Sequence, residues 1–344
     1  MTSRHGFIFD QAKDIRYQLP LISALWQLSR PKLALYVVFV ALCGYGWALW
    51  DRALSPVNLF DLGLMLLAWY FLQVGTIWLN ADLDRDEGEV LFGQSLLVPQ
   101  SIHRAVVGAF AVSCVLSAFV DWLLFFVTTL CVGLSYLYSH PRFALKGHSV
   151  AGPIINLVGY GLATPFVGWA IADVSPNLRT LIVWMVAAVG LLGCYWASQA
   201  FQREDDLRRG YHTLVVLIGS KNTILVGRLC TAFCALATAM LILMGWLPVL
   251  SSLLLVVWFW IDRWYVLWAC QDNGGGEYYA RVLAQRLFIA VGLTLLLAVA
   301  DCLIKSAAEL PVAGLSTLHG VPVDRPLLPP KALAIWEKQH GRFL

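Results

Sequence analysis

Residues 60–89 read FDLGLMLLAWYFLQVGTIWLNADLDRDEGE, an apolar run that ends on Asn80, Asp82, Asp84, Asp86, Glu87 and Glu89. Such a run is long enough to cross a bilayer as a helix, which takes roughly 20 apolar residues. Carboxylates beside lipid are costly unless a cation or a water-filled site holds them. The arrangement recurs downstream, where the apolar run 179–201 leads into Gln202, Arg203, Glu204, Asp205 and Asp206. Two anionic groups at the ends of two spans can grip a divalent metal and a diphosphate if they face one cavity.

The rest of the chain supports a membrane setting. Of its 344 residues 59% are hydrophobic and 13% charged, against roughly 25% charged in a soluble domain. The composition is that of an integral membrane protein. The 15 tryptophans suit rings that sit at membrane interfaces. Net charge is +3, and no nucleic-acid partner is expected. The eight cysteines all lie in apolar stretches, with no CxxC pair and no Cys/His cluster at zinc spacing. They read as small buried hydrophobes. The first thirty residues scatter Arg4, Asp10, Lys13, Asp14 and Arg16 and hold no clean apolar core, so no cleavable signal peptide is expected.

Apolar runs predict spans near 33–50, 60–80, 104–120, 122–138, 150–171, 179–201, 223–246, 249–270 and 285–304. The runs are too long for strands and lack alternation. The third and fourth are joined tightly at Asp121-Trp122. Lys and Arg fall mainly on one side, including Arg30, Lys32, Arg85, Arg104, Arg142, Lys146, Arg208, Arg209 and Lys221, while the opposite short loops hold little beyond Arg52 and Arg179. The positive-inside rule then places the N-terminus and all the acidic loops in the cytoplasm. Nine crossings leave the C-terminus outside a plasma or inner membrane. Expected units are a cytoplasmic segment 1–30, a transmembrane domain 31–305 and an extracytoplasmic tail 306–344.

Asn80 and Asp84 are four apart and share one helical face; Asp82 and Asp86 make a second such pair. Mg²⁺ takes hard oxygen ligands, usually one or two carboxylates plus substrate phosphates. The alternative is a solvated acidic loop that merely ends a helix. Gln202 and Asp206 likewise share a face, and Arg203, Arg208 and Arg209 either bind phosphate oxygens or mark the cytoplasmic side. In Tyr138-Ser139-His140-Pro141-Arg142-Phe143-Ala144-Leu145-Lys146-Gly147, Arg142 and Lys146 are four apart and can pair with a diphosphate, or again reflect topology. Asp262 and Arg263 sit inside the eighth span, as functional groups, as mutual neutralisers, or as chains that reach the interface.

Together these segments resemble the UbiA superfamily of intramembrane prenyltransferases. Its first motif, Asn-x3-Asp-x3-Asp, falls on Asn80 to Gly88, and its second, Asp-x3-Asp, on Gln202 to Asp206. The second is followed by Gly210-x2-Thr213-Leu214-x-Val216-x2-Gly219, which resembles the family's Gly-x2-Thr-Leu-Pro-Val-x2-Gly. Tyr138-Ser139-x-Pro141 looks like the family's Tyr-Ser-x-Pro segment, and Ser29-Arg30-Pro31 also fits. Gly88 and Gln202 stand where the family has Asp, and the Arg-Pro-x-Pro that follows the first motif is reduced to Leu96-Leu97-Val98-Pro99.

The resemblance implies an all-α bundle of about nine transmembrane helices around a central cavity open to the cytoplasmic side and the lipid. It implies a prenyl diphosphate held by two Mg²⁺ ions between the motifs, and an allylic cation captured by an aromatic or other lipophilic acceptor. Carried onto this chain, it points to Asp84, Asp206 and Lys146 as catalytic. Asp82, Asp84, Asp205 and Asp206 would hold metal. Asn80, Arg85, Arg142, Lys146, Arg209, Tyr138 and Tyr160 would hold substrate, with aromatic faces available at Trp69, Tyr70, Tyr138, Tyr160 and Trp196. Two other outcomes stay open: a terpene cyclase of the same fold, which needs metal but no acceptor, and a non-catalytic lipid-binding or assembly subunit, which Gly88 and Gln202 favour. A transporter fits less well, because no paired Gly/Pro-broken helices appear.

Overall fold

Each apolar run folds as a helix, because a backbone in lipid must satisfy its own hydrogen bonds. The computed structural model describes residues 21–50, 59–84, 90–93, 96, 98–172, 177–271 and 275–309. Among these, nine spans are long and apolar enough to cross a membrane: Pro31–Ala48, Leu59–Asp84, Ile102–Val120, Trp122–Ser139, Ala151–Ile171, Leu178–Arg208, Ser220–Leu243, Val249–Ala269 and Glu277–Lys305. The N-terminal segment up to residue 20, Arg85 to Glu89, and the tail from residue 310 lie outside the described residues.

The helices in chain order are α1 (Leu21–Leu28), α2 (Pro31–Ala48), α3 (Leu59–Asp84), α4 (Ile102–Val120), α5 (Trp122–Ser139), α6 (Ala151–Asn156), α7 (Thr164–Ile171), α8 (Leu178–Ser198), α9 (Arg203–Arg208), α10 (Leu214–Ile218), α11 (Ser220–Leu243), α12 (Leu253–Ala269) and α13 (Glu277–Glu309). Their ends follow local chemistry. Pro31 opens α2 at its first turn, where a missing N–H costs nothing. The Asp121 carboxylate accepts from Leu123 N at 2.6 Å and starts α5 one residue after α4 stops. Asn177 caps α8 by accepting from Thr180 N at 2.8 Å. α13 starts at Glu277, earlier than its apolar run suggests, and a Glu277–Arg281 pair at 3.6 Å lies along its first turn.

The tightest pairings are α3 with α4, α8 with α11, and α2 with α7. The last is a close crossing. A Cβ on Gly44 would overlap the Pro165 carbonyl, and one on Gly168 would overlap the Ala41 carbonyl. Small residues let membrane helices approach in this way. Two apolar cores result. One gathers Met65, Trp69, Val106 and Leu124 from α3, α4 and α5. The other gathers Trp184, Trp258, Tyr265 and Leu287 from α8, α12 and α13. α2 and α7 contribute to both.

The fifth span is not a uniform helix. Between α6 and α7, Leu157–Ala163 is wound as a π-helix, a form that often marks functional positions. In the eighth span, Asp262 is neutralised by Arg228 of α11, Nε to Oδ1 at 2.6 Å and Nη2 to Oδ2 at 3.2 Å. Its sequence neighbour Arg263 points outward and is exposed. Adjacent helical residues are turned about 100° apart, so the two cannot share a face.

Candidate active site

The cavity between the two cores has a volume of about 420 Å³. α3 lines it with one continuous stripe: Trp69, Leu72, Gln73, Thr76, Ile77, Asn80 and Asp84. These positions repeat at the helical period, so the side of α3 that bears Asn80 and Asp84 runs unbroken into the depth of the bundle. Across the cavity, Gln199, Gln202, Asp205 and Asp206 line the opposite wall. The two acidic segments thus share one chamber, as their order in the sequence suggested.

Lys146 joins them. It is buried at 8% exposure, and its ammonium is hydrogen-bonded to Asp84, itself 11% exposed. Arg209 lies 3.7 Å from the same carboxylate. Lys146 sits in a short 3₁₀ turn, Leu145–Gly147. His212 N donates to Gly147 O at 2.8 Å, and His148 and His212 form an isolated bridge. The loop that carries Lys146 is thereby tied to the loop that follows Arg209. Gly210 permits that loop: its φ is +69°, in the left-handed region that glycine enters without strain. Thr213 Oγ1 donates to Asp206 Oδ2 at 2.7 Å and orients it. Ser139, the last residue of α5, donates to Asn80 Oδ1 on α3 and fixes that amide.

Below the charged end the wall becomes neutral. Tyr138 and Tyr195 hydroxyls lie 3.5 Å apart, and Gln199 Nε2 donates to Tyr195 at 3.2 Å. Asn156 and Gln73 line the same cavity as Tyr138 and Tyr160. Trp69 Nε1 donates to Thr164 Oγ1 at 3.2 Å.

Of the residues singled out in the sequence, Asn80, Asp84, Tyr138, Lys146, Tyr160, Asp205, Asp206 and Arg209 line this cavity. Asp82 and Arg142 do not. Asp82 faces α4 and pairs with His103 Nδ1 at 3.3 Å, as its place two residues from both Asn80 and Asp84 on a helix requires. Arg142 is exposed, because α5 stops at Ser139 and Ala144 turns left-handed at φ 41°. Without a helix between them, a spacing of four no longer puts Arg142 and Lys146 on one face. Arg85 lies outside the described residues. Trp69 is on the wall; Tyr70 and Trp196 are not. Sequence reasoning missed Gln73, Asn156 and Tyr195. The signal for Gln73 was present, since it is seven residues before Asn80 on the same stripe. Arg30, noted only as part of a motif, also lines the cavity and donates from Nη1 to Leu91 O at 3.3 Å.

Asp84, Asp205 and Asp206, with the amide oxygens of Asn80 and Gln202, form an oxygen-only donor set on the cavity wall. Among the described residues no group of three His, Cys, Asp or Glu side chains is arranged to hold a metal by itself. The oxygen-only set suits Mg²⁺, which keeps several waters and takes its remaining ligands from substrate phosphates.

A comparison with curated protein sequences finds no match. Among solved structures, a UbiA homologue from Archaeoglobus fulgidus bound to GPP and Mg²⁺ is similar, with a TM-score of 0.63 and 17% identity over 81% of this chain and 99% of that one. Also similar are digeranylgeranylglyceryl phosphate synthase (TM-score 0.57, 13% identity, 82% and 99% covered) and an apo UbiA homologue from Aeropyrum pernix K1 (0.54, 16%, 78% and 97%). At such identities the likeness concerns the fold. The sequence model of the UbiA prenyltransferase family matches residues 37–292, a stretch that contains both acidic segments and the Lys146 loop. The chain is therefore an integral membrane protein that belongs to the UbiA prenyltransferase family.

Proposed function

We propose that this protein transfers a prenyl group from a prenyl diphosphate to a lipophilic acceptor inside the membrane. The observation that carries the reading is the convergence of Asp84 and Asp206 from two distant helix ends on one cavity that also holds Lys146 and Arg209. Asp84 and Asp206, helped by Asp205, Asn80 and Gln202, would hold two Mg²⁺ ions. Bound Mg²⁺ would neutralise the charge that builds on the departing diphosphate.

The side chains supply the rest. Lys146 and Asp84 satisfy each other, so neither charge is stranded in a low-dielectric site. A diphosphate would draw Lys146 and Arg209 toward its oxygens. The allylic C–O bond breaks with its electron pair going to the diphosphate, and the allylic cation forms beside Tyr138, Tyr160 and Trp69, whose ring faces stabilise positive charge. The apolar chamber excludes water from that cation. An electron-rich carbon or oxygen of an aromatic or other lipophilic acceptor then bonds to the cation and loses a proton. The chamber mouth is assigned to the cytoplasmic side on the strength of the Lys and Arg distribution.

A second reading is favoured by Gln202, an amide where a carboxylate would bind metal more strongly: a non-catalytic member that binds isoprenoid lipid. One experiment separates the two. Purified protein with Mg²⁺ and prenyl diphosphates of graded length is expected to release diphosphate, and Asp84→Ala to abolish release. Release that survives Asp84→Ala contradicts the site. No release at any length, with no Mg²⁺-dependent binding, supports the second reading.

A further inference from the structure

Away from the cavity, α11, α12 and α13 carry Arg228, Arg263 and Arg286 within their apolar spans, where charge is normally paired. Arg228 has Asp262. Arg263 and Arg286 form no ion pair among the described residues. Arg286 lies nine residues into α13, about 13 Å from its start at 1.5 Å per residue. Its guanidinium carbon sits 4.1 Å from the Trp260 ring centre and 4.5 Å from that of Trp264. Nη1 donates to Trp260 O at 2.7 Å, and the buried Nε has no hydrogen-bond partner. Arg263 is one turn from Trp260 on α12 and exposed. Around them Val256, Phe259, Leu267 and Ile289 are also exposed, so this face meets lipid chains.

Two guanidiniums without carboxylates flank an exposed tryptophan on a lipid-facing surface. Stacking on Trp260 and Trp264 fixes the Arg286 plane, but it leaves hydrogen-bonding capacity and charge unsatisfied. The exposed Arg263 offers its planar fork to phosphate oxygens. Arg286 adds its charge beside it, its Nε being buried and its Nη1 bonded to Trp260 O. Basic side chains near the headgroup region attract anionic lipid. A soluble anion would have to cross apolar surface to arrive; a lipid brings its phosphate on its own anchor. We propose that Arg263 and Arg286, framed by Trp260 and Trp264, form a site for the phosphate of an anionic phospholipid on the outer face of α12 and α13. On α13 the cavity is lined by Ala284, Leu287, Phe288 and Val291, which face away from Arg286. The lipid site is thus separate from the chamber.

The test uses the intact protein in nanodiscs of phosphatidylcholine with or without phosphatidylglycerol. Lipid retained after detergent extraction is read by native mass spectrometry, and thermal melting is read in both membranes. Retained phosphatidylglycerol is expected to be enriched about tenfold over its share of the nanodisc, and to raise the melting temperature. Arg263→Gln with Arg286→Gln is expected to remove both effects, while Arg281→Gln, whose partner is Glu277, leaves them. Inorganic phosphate added to phosphatidylcholine nanodiscs is expected to do nothing. Equal retention by the intact protein and the double variant overturns the proposal. So does retention of the two lipids in proportion to supply, a reading on the unmodified protein that does not depend on any variant folding.

Discussion

The two acidic segments reach the same chamber by different local structures. α3 runs as an unbroken helix to Asp84, so its period alone decides which side chains enter: Asn80 and Asp84 point in, and Asp82 turns to His103 on α4. The second segment passes through a 3₁₀ turn, Gln199–Gln202, before the short helix α9. That tighter winding shifts the register, and two adjacent carboxylates, Asp205 and Asp206, both line the wall. The first segment pairs its carboxylate with buried Lys146; the second holds Asp206 by a hydroxyl from Thr213. Asp84 is therefore anchored by a buried ion pair, and Asp206 by a hydrogen bond from a neutral hydroxyl to its carboxylate.

This contrast sets an order of effects. Asp84→Ala is expected to lower prenyl transfer by at least about 10³-fold. It is also expected to cost about 3–5 kcal/mol of stability, because Lys146 is left buried without its partner. Thermal melting should show the loss, and Lys146→Met added to Asp84→Ala should restore part of it. Asp206→Ala is expected to remove comparable activity but only about 1–2 kcal/mol of stability, since its hydrogen-bond donor is a neutral hydroxyl and the nearby Lys146 and Arg209 keep Asp84. If both variants melt alike, the ion-paired and hydroxyl-bonded ends are not different. Thr213→Val keeps the carboxylate and removes its orienting donor. A drop of about tenfold or somewhat more in kcat/KM is expected, matching a hydrogen bond to a charged group. Asp82→Ala and Arg142→Ala are expected to stay within about twofold in activity and about 1 kcal/mol in stability, because Asp82 only pairs with the exposed His103 and Arg142 is itself exposed. A large loss at Asp82 would mean that α3 presents its other face to substrate.

Much of this was readable from residue order. The nine apolar runs match nine spans among the described residues, and the four-residue spacing of Asn80 and Asp84 put both on the cavity wall. The same helical rule placed Asp82 on the other face, and including it among the metal ligands went against that rule. The rule failed for Arg142 and Lys146 because no helix connects them. Gln73, Asn156 and Tyr195 escaped notice for another reason: neutral polar groups inside an apolar run raise no alarm until packing turns them inward. The Arg228–Asp262 pair was invisible because its members are 34 residues apart, and only helix packing brings them together.

Binding isolates the shared chamber from the chemistry that follows. Titration calorimetry with a non-hydrolysable prenyl thiodiphosphate, with and without Mg²⁺, should be run on the intact protein, Asp84→Asn and Asp206→Asn. Binding is expected to require Mg²⁺ and to be lost in each variant, because one carboxylate from each segment is needed to hold a single ligand. Tight binding that is indifferent to Mg²⁺, or that survives either substitution unchanged, would contradict a diphosphate site built from both helix ends.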